Sequence, residues 1–282
     1  MVEHRKLTIR DIQAKKGREK ITFTSVNDVA TARIVDASTA DMAGAGAVVA
    51  AMSIMGYTRS LPSVMEQVLI YLRPIAETLK RALLSATLPY GTYQASNEDA
   101  IRAGIEYMKA GVDCIKIEGA GIMVDRIRAV VQAGIPCMGH IGMAPQQIAA
   151  IGGYRVVGRK AETAAQLLRD ALLLQDAGVW AMEVECVPDR VAEVITQRLQ
   201  IPTIGTGSGV GCDGQGLMTM DIWGLPQPVA PRLAKQYDDL YSLGVEALTS
   251  YVRDVRAGGV VPAERTICMS DEEHNRFMDM VG

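Results

Sequence analysis

A lysine and a glutamate stand two residues apart in Asp113-Cys114-Ile115-Lys116-Ile117-Glu118-Gly119. The apolar Cys114, Ile115 and Ile117 make this stretch a buried strand, and residues two apart on a strand point to the same side. Lys116 and Glu118 therefore converge on one pocket where the strand ends. A strand end reaching solvent carries charge as readily, so the pair alone does not separate a site from an edge. A second group comes from Met138-Gly139-His140-Ile141-Gly142. The chain has three histidines, and His4 and His274 lie near its ends. That leaves His140 as the candidate imidazole for donating to a developing enolate or carboxylate oxygen; the competing role is a hydrogen-bonded core histidine. A third comes from Met182-Glu183-Val184-Glu185-Cys186-Val187-Pro188, where Glu183 and Glu185 share a strand face and either can point inward. Glu185, flanked by Val184, Cys186 and Val187, would hold its proton more tightly if buried. That suits a base removing a proton next to a carbonyl; the alternative is a structural partner for Arg190 or a lysine. Gly205-Thr206-Gly207-Ser208-Gly209 could present backbone N–H groups to an anion, and the following Asp213 either caps a helix or reaches a ligand.

These groups need elements to position them. Short strand-like runs alternate with longer helical patterns from about residue 20 to about residue 225. The expected strands are Ile21–Thr24, Ala47–Ala51, Leu83–Ala86, Cys114–Ile117, Cys137–Gly139, Ala181–Val184 and Thr203–Gly205, with an eighth around Leu217–Asp221. The expected helices are Ala30–Ala43, Ser63–Lys80, Asn97–Ala110, Gly121–Ala133, Ala161–Ala177 and Asp189–Leu199. Gly111, Gly134 and Gly178 follow three of them as C-caps. Such alternation gives a parallel sheet, and seven or eight units without GxGxxG after the first strand predict an α/β fold of the (β/α)8 TIM-barrel type. The expectation is a single domain over 1–282, with the barrel over about 20–230 and a helical tail over about 232–282. That tail is expected helical through Ala257 and again over Ser270–Met280. In such barrels chemistry gathers at the C-terminal strand ends. Here those ends hold Asn27 and Asp28, Ser53, Thr87, Lys116 and Glu118, His140, Glu185 and the glycine loop.

Bulk properties narrow the function class. The chain has 282 residues, 49% of them hydrophobic and 22% charged, with net charge -3. That balance argues against a nucleic-acid partner, which selects for a basic face. No apolar run suits a membrane span, and residues 1–20 are charged rather than signal-like, so a cytoplasmic location is expected. The five cysteines form no CxxC pair, which reads as free thiols rather than a zinc site. Fifteen methionines against two Phe and two Trp predict an aliphatic, sulfur-rich core.

Ordered segments then carry a resemblance. Ile115-Lys116-Ile117-Glu118-Gly119, Gly139-His140-Ile141-Gly142-Met143-Ala144-Pro145-Gln146, Gly152-Gly153-Tyr154-Arg155-Val156-Val157-Gly158-Arg159, Glu185-Cys186-Val187-Pro188, Ile201-Pro202-Thr203-Ile204-Gly205 and Cys212-Asp213-Gly214-Gln215 stand in family order. The chain resembles ketopantoate hydroxymethyltransferases, barrels of the phosphoenolpyruvate mutase/isocitrate lyase superfamily. The resemblance implies a cytoplasmic homo-oligomer, usually a decamer, that transfers a one-carbon unit from methylenetetrahydrofolate to 2-oxoisovalerate with Mg²⁺ holding the 2-oxo acid. It places Glu185 as base, Lys116 and His140 on substrate oxygens, Ser53 on the substrate carboxylate and Glu118 beside the metal. The chain also departs from the family pattern. Where the family has Gly-Asp-Ser at the second strand end, the expected counterpart is Ala51-Met52-Ser53. Where it has Asp before Leu-Pro after the third strand, this chain has Thr87-Leu88-Pro89. Met52 and Thr87 would then border the substrate, and Glu118 is the one family-type carboxylate left for a metal. Mg²⁺ prefers anionic oxygen. The expectation is therefore an enzyme with the family's acid/base groups, acting on a 2-oxo acid or related carbonyl compound through an enolate, without a metal and on a different substrate. The alternatives are an authentic 3-methyl-2-oxobutanoate hydroxymethyltransferase, or a non-catalytic paralogue that binds a small acid.

Overall fold

Strands buried on both faces need apolar side chains outward, toward helices, and a second set inward, toward the barrel axis. The sequence supplies both. The computed structural model describes residues 5–226, 234–259 and 261–282. In chain order its first elements are α1 (Ile9–Ala14), β1 (Ile21–Ser25), α2 (Val29–Ala37), β2 (Met42–Gly46), α3 (Ala47–Val49), α4 (Met65–Thr78), β3 (Leu83–Thr87), α5 (Asn97–Lys109) and β4 (Cys114–Glu118). Then come α6 (Met123–Gln132), β5 (Cys137–Gly142), α7 (Ile148–Ile151), α8 (Ala161–Asp176), β6 (Met182–Glu185), α9 (Asp189–Arg198), β7 (Thr203–Thr206), β8 (Gly214–Leu217) and α10 (Thr219–Ile222). The eight strands pair in parallel in sequence order, and β8 closes on β1. The fold is a (β/α)8 barrel.

Outward residues such as Ala43, Leu84, Ile115, Ile117, Ile141 and Val184 pack against helix residues Leu72, Ile75, Tyr107, Ile127, Leu174 and Ile195 in one large core. Inward, Ile21, Met42, Leu83, Cys114, Met138, Ala181 and Ile204 form an apolar floor closed from below by Ile12 of α1. Counting two residues along each strand gives the next interior level: Phe23, Gly44, Ser85, Lys116, His140, Glu183, Thr206 and Gly216. Two residues further lie Gly46, Thr87, Glu118, Gly142 and Glu185. The apolar floor and the charged upper levels thus follow from strand parity.

Two expected strands fall elsewhere. The second is not Ala47–Ala51 but Met42–Gly46; Ala47–Val49 is helical and continues into a wide π-type turn over Ala50–Ile54. Residue type alone does not separate a short apolar strand from a buried helical turn. The small residues of the true β2 are required by packing. A Cβ on Gly44 would lie 2.7 Å from the Phe23 ring, and one on Gly46 (φ 97°) 2.4 Å from the Thr87 carbonyl oxygen. Likewise the eighth strand is Gly214–Leu217, and Thr219–Ile222, which overlaps the end of the expected strand, is α10. With β2 beginning at Met42, α2 ends at Ala37 rather than at the expected Ala43. The other expected helices agree with α4, α5, α6, α8 and α9 to within two residues.

Contacts divide the chain into units Met1–Tyr237 and Asp238–Gly282. Arg232, the expected start of the tail, lies outside the described residues. The second unit contains α11 (Leu240–Arg256) and α12 (Asp271–Val281). Asp239 caps the first, accepting from the Ser242 backbone at 3.0 Å, and Ser270 caps the second, accepting from the Glu273 backbone at 3.3 Å.

Candidate active site

β4 alternates outward isoleucines with inward Cys114, Lys116 and Glu118, and this pattern carries the lysine into the barrel. The Lys116 ammonium donates to Glu183 Oε2 across the lumen. The other Glu183 oxygen accepts from Thr206 Oγ1 at 2.9 Å. The Phe23 ring centroid lies 5.8 Å from Lys116 Nζ, within cation–π range. Burial works against the lysine's charge, yet Glu183 outweighs it and Lys116 sits above the usual lysine range. Burial likewise favours a protonated Glu183, but Lys116 and then His140 pull its pKa down to about 2. The pair is therefore an ion pair inside the protein.

His140 is the β5 neighbour of Glu183 in the sheet register. Its Nε2 lies 3.0 Å from Glu185 Oε2, close enough for ionic attraction. Neither ring nitrogen makes an aligned hydrogen bond, although the side chain is 1% exposed. An imidazole so deeply buried and unsatisfied points to an absent partner in the pocket. Burial opposes its protonation, but Glu183 and Glu185 prevail and raise its pKa. Glu185 is more open, with a side chain 15% exposed. Burial lifts its pKa above the usual carboxylate value, with His140 opposing. The local backbone holds it tightly. Cys186, directly after it, takes φ 49°, a left-handed conformation costly for a residue with a Cβ. Its N–H bonds the Thr206 carbonyl at 2.8 Å and its carbonyl accepts from Val157 at 2.9 Å. At the end of β5, a Cβ on Gly142 would lie 2.1 Å from the Glu185 carbonyl oxygen, so only glycine permits this approach.

Glu118 is fully buried. One of its oxygens accepts from the Gln146 backbone at 2.8 Å. The Gln146 side chain is braced in turn by the Tyr93 hydroxyl at 2.8 Å and the Leu88 carbonyl at 2.6 Å. The second Glu118 oxygen has no protein partner. Burial pushes this carboxyl up, favouring the neutral acid.

The structure thus brings Lys116, Glu118, His140 and Glu185 to one end of one barrel, as expected, and adds Glu183 and Thr206. Thr87 is beside them as the register partner of Lys116. Met52 and Ser53 do not end a strand. The true β2 end is Gly46-Ala47-Val48, and Met52 and Ser53 lie in the π-type turn beyond it. Ser53 Oγ is buried without a partner there, and Met52 Sδ is 3.6 Å from the Tyr154 hydroxyl, which also donates to the Thr58 carbonyl at 3.2 Å. Tyr154 therefore links the loop after β5 to the loop after β2. Asp28 caps α2, accepting from the Thr31 backbone at 2.7 Å. Asp213 neither caps a helix nor faces the pocket. It pairs with Lys16 at 2.8 Å and accepts from the Thr203 backbone at 2.9 Å, just before β8. In the glycine loop, Ser208 donates to the Val184 carbonyl at 2.8 Å and accepts from Val187 N–H at 3.0 Å, tying the loop to β6. Thr206 stands in the glycine loop and Gln146 closes the Gly139–Gln146 segment, though residue type gives neither a role of its own. Strand parity points to Phe23; no sequence signal points to Tyr93.

A family model described as ketopantoate hydroxymethyltransferase matches residues 6–263. The chain belongs to the ketopantoate hydroxymethyltransferase family. A 3-methyl-2-oxobutanoate hydroxymethyltransferase of Nitratidesulfovibrio vulgaris (strain DP4) is 40% identical over 275 residues, covering 97% of this chain and 89% of the relative. One from Nitrosopumilus maritimus (strain SCM1) is 37% identical over 276 residues, covering 98% and 99%. Among solved structures, 2,3-dimethylmalate lyase, described as a PEP mutase/isocitrate lyase superfamily member, superposes with a TM-score of 0.59 at 16% identity over 97% of both chains. A phosphonopyruvate hydrolase in complex with oxalate and Mg²⁺ gives 0.58 at 14% identity over 98% of both. The barrel is thus shared with that superfamily, and family membership makes this chain an enzyme of transferase or lyase type. No helix among the described residues is long and apolar enough to cross a membrane.

The Mg²⁺ that the resemblance implies needs anionic oxygens in near-octahedral array. The ends of β2 and β3 offer Gly46, Ala47 and Thr87, with no carboxylate. Glu118 offers one free oxygen, its other being held by the Gln146 backbone. His140, Glu183 and Glu185 bring ligand atoms within 4.8 Å of one another, but both oxygens of Glu183 are already engaged. The residues present do not fit the dication.

Proposed function

We propose that this chain joins a one-carbon unit to C3 of a 2-oxo acid, with 3-methyl-2-oxobutanoate, the substrate in its relatives' names, as acceptor. The observation that carries the reading is the Glu185–His140 pair: a carboxylate with a raised pKa and a side chain 15% exposed, beside a buried imidazole lacking an aligned partner. A general base works best with a pKa near the working pH, and burial moves Glu185 in that direction.

Glu185 takes the C3 proton, and the C3–H electron pair moves into the keto group to give an enolate. Lys116 and His140 face the developing oxygen charge; fixed donors in a water-poor site are the strongest form of such stabilisation. The enolate then attacks the one-carbon electrophile, formaldehyde in the simplest case. A C–C bond forms, and the former aldehyde oxygen takes the proton held by Glu185. Methylenetetrahydrofolate is the one-carbon donor that the resemblance implies, and it enters here as a substrate. Thr87, Ser53 and Met52 remain as proposed contacts to the acid. Ser53 has the better claim of the last two, because its buried hydroxyl is unpartnered.

Incubating the protein with 3-methyl-2-oxobutanoate and either formaldehyde or methylenetetrahydrofolate should yield ketopantoate, and Glu185→Gln should abolish the product. A different 2-oxo acid as acceptor is the second reading. It is favoured by the neutral β2 and β3 ends, which alter the half of the pocket where the acid would lie. Turnover of other branched 2-oxo acids in preference to 3-methyl-2-oxobutanoate would select it.

A further inference from the structure

The site holds a cation of the protein's own, the Lys116 ammonium. Lys116 spends one of its three N–H donors on Glu183; the Phe23 ring lies within cation–π range, and no second hydrogen-bond acceptor engages it among the described residues. Its side chain is 12% exposed and points into the barrel end, beside His140 and Glu185. Glu183 is fixed on two sides, by Lys116 and by Thr206, and its side chain is 5% exposed. A buried lysine without such an anchor would lose its charge or swing toward water. The same anchoring leaves Glu183 no oxygen for a metal, and an ammonium beside Glu118 repels a dication at close range.

We propose that this pocket enolises its 2-oxo acid without a divalent cation, Lys116 being the fixed positive charge that receives the enolate oxygen and Glu183 the residue that positions it. The inference rests on the 2-oxo acid chemistry proposed above. The charge bookkeeping is local: Glu183 balances Lys116 before substrate binds. The substrate's negative charge then meets the free side of the ammonium; the C3–H proton passes to Glu185, and the electron pair of that bond passes to the keto oxygen, whose new charge faces Lys116.

The test uses the full chain, stripped with EDTA and freed of the chelator. MgCl₂ titrated calorimetrically, alone and with saturating 3-methyl-2-oxobutanoate, should show no saturable binding; a one-to-one isotherm would overturn the inference. Proton NMR in D₂O should show C3–H exchange in EDTA at a rate that added Mg²⁺ leaves unchanged. Exchange that appears only with Mg²⁺ overturns the inference while leaving the 2-oxo acid reading intact. Exchange under neither condition removes the reading and the inference with it. For the positioning role, Glu183→Gln should lower kcat for exchange by about 10²-fold with little change in KM, and Glu183→Asp should recover part of it. If Glu183→Gln does not fold, Thr206→Val loosens the same carboxylate without removing charge, and should lower kcat with KM again unchanged. A loss shared equally by kcat and folded fraction, or none at all, contradicts the positioning role.

Discussion

The two halves of the barrel rim differ in kind. From β4 to β7 the inward residues are Lys116, Glu118, His140, Glu183, Glu185 and Thr206, a continuous set of charged and polar groups. At β2 and β3 the corresponding ends are Gly46, Ala47 and Thr87, with no charge. Both sides belong to one closed barrel of parallel strands. The fold therefore dictates where a site lies, and side chains alone decide whether it is built around a metal or around fixed protein charges. In this chain the electrostatics have moved to one half.

The largest effect should come from breaking the charged half at its base. Glu185→Gln should cost about 10²–10⁴-fold in kcat/KM, measured on ketopantoate formation, with an unchanged thermal transition. Next is Lys116→Met, expected to lower kcat by about 10²–10³-fold. It also leaves Glu183 buried and unpaired, at about 3–5 kcal/mol of stability by denaturant unfolding. Lys116→Met with Glu183→Met should restore most of that stability and none of the activity, which separates the pair's structural role from its chemical one.

A smaller effect should follow from adding charge to the neutral half. Thr87→Asp places a carboxylate at the register partner of Lys116. It should confer measurable Mg²⁺ affinity by calorimetry where the parent is expected to show none, and no affinity in this variant would show that the neutral half lacks more than its carboxylates. The pH dependence sharpens the same contrast. Glu185 must be ionised to act and its pKa is raised, so kcat/KM should fall as pH drops through a value above the ordinary carboxylate range. Glu183 is depressed to about 2, so its contribution to stability is complete above the unfolded value near 4.5 and is lost as pH falls from there toward 2. The slightest effect is expected from Tyr154→Phe, which removes the bond to Thr58 but keeps the ring. A few-fold rise in KM is the expected readout.

Much of the charged half was legible in the sequence because its strands obey simple rules. Ile115 and Ile117 alternate with Lys116 and Glu118, and the parity of β6 brings Glu183 and Glu185 to the same face. The neutral half was not. Met42-Ala43-Gly44-Ala45-Gly46 lacks the β-branched residues that mark strands. Its glycines answer to the Phe23 ring and the Thr87 backbone, neighbours that only the closed barrel supplies. The valine-bearing run after it has the stronger strand composition, yet it forms the helical turn that carries Met52 and Ser53. Gly214 and Gly216 of β8 hid their strand in the same way: Cβ atoms there would fall 2.5 Å from the Ile21 carbonyl oxygen and 2.7 Å from Thr206 Oγ1. The Lys116–Glu183 pairing is a contact across the lumen, which strand parity permits but does not specify.

The central claim is that Glu185 removes the C3 proton while protein charges alone hold the enolate. Deuterium exchange at C3 of 3-methyl-2-oxobutanoate, followed by proton NMR in excess EDTA with the parent protein and with Glu185→Gln, tests it most directly. Exchange is expected with the parent and none with the variant. Exchange that persists in Glu185→Gln, or that the parent shows only after Mg²⁺ is added, would contradict it.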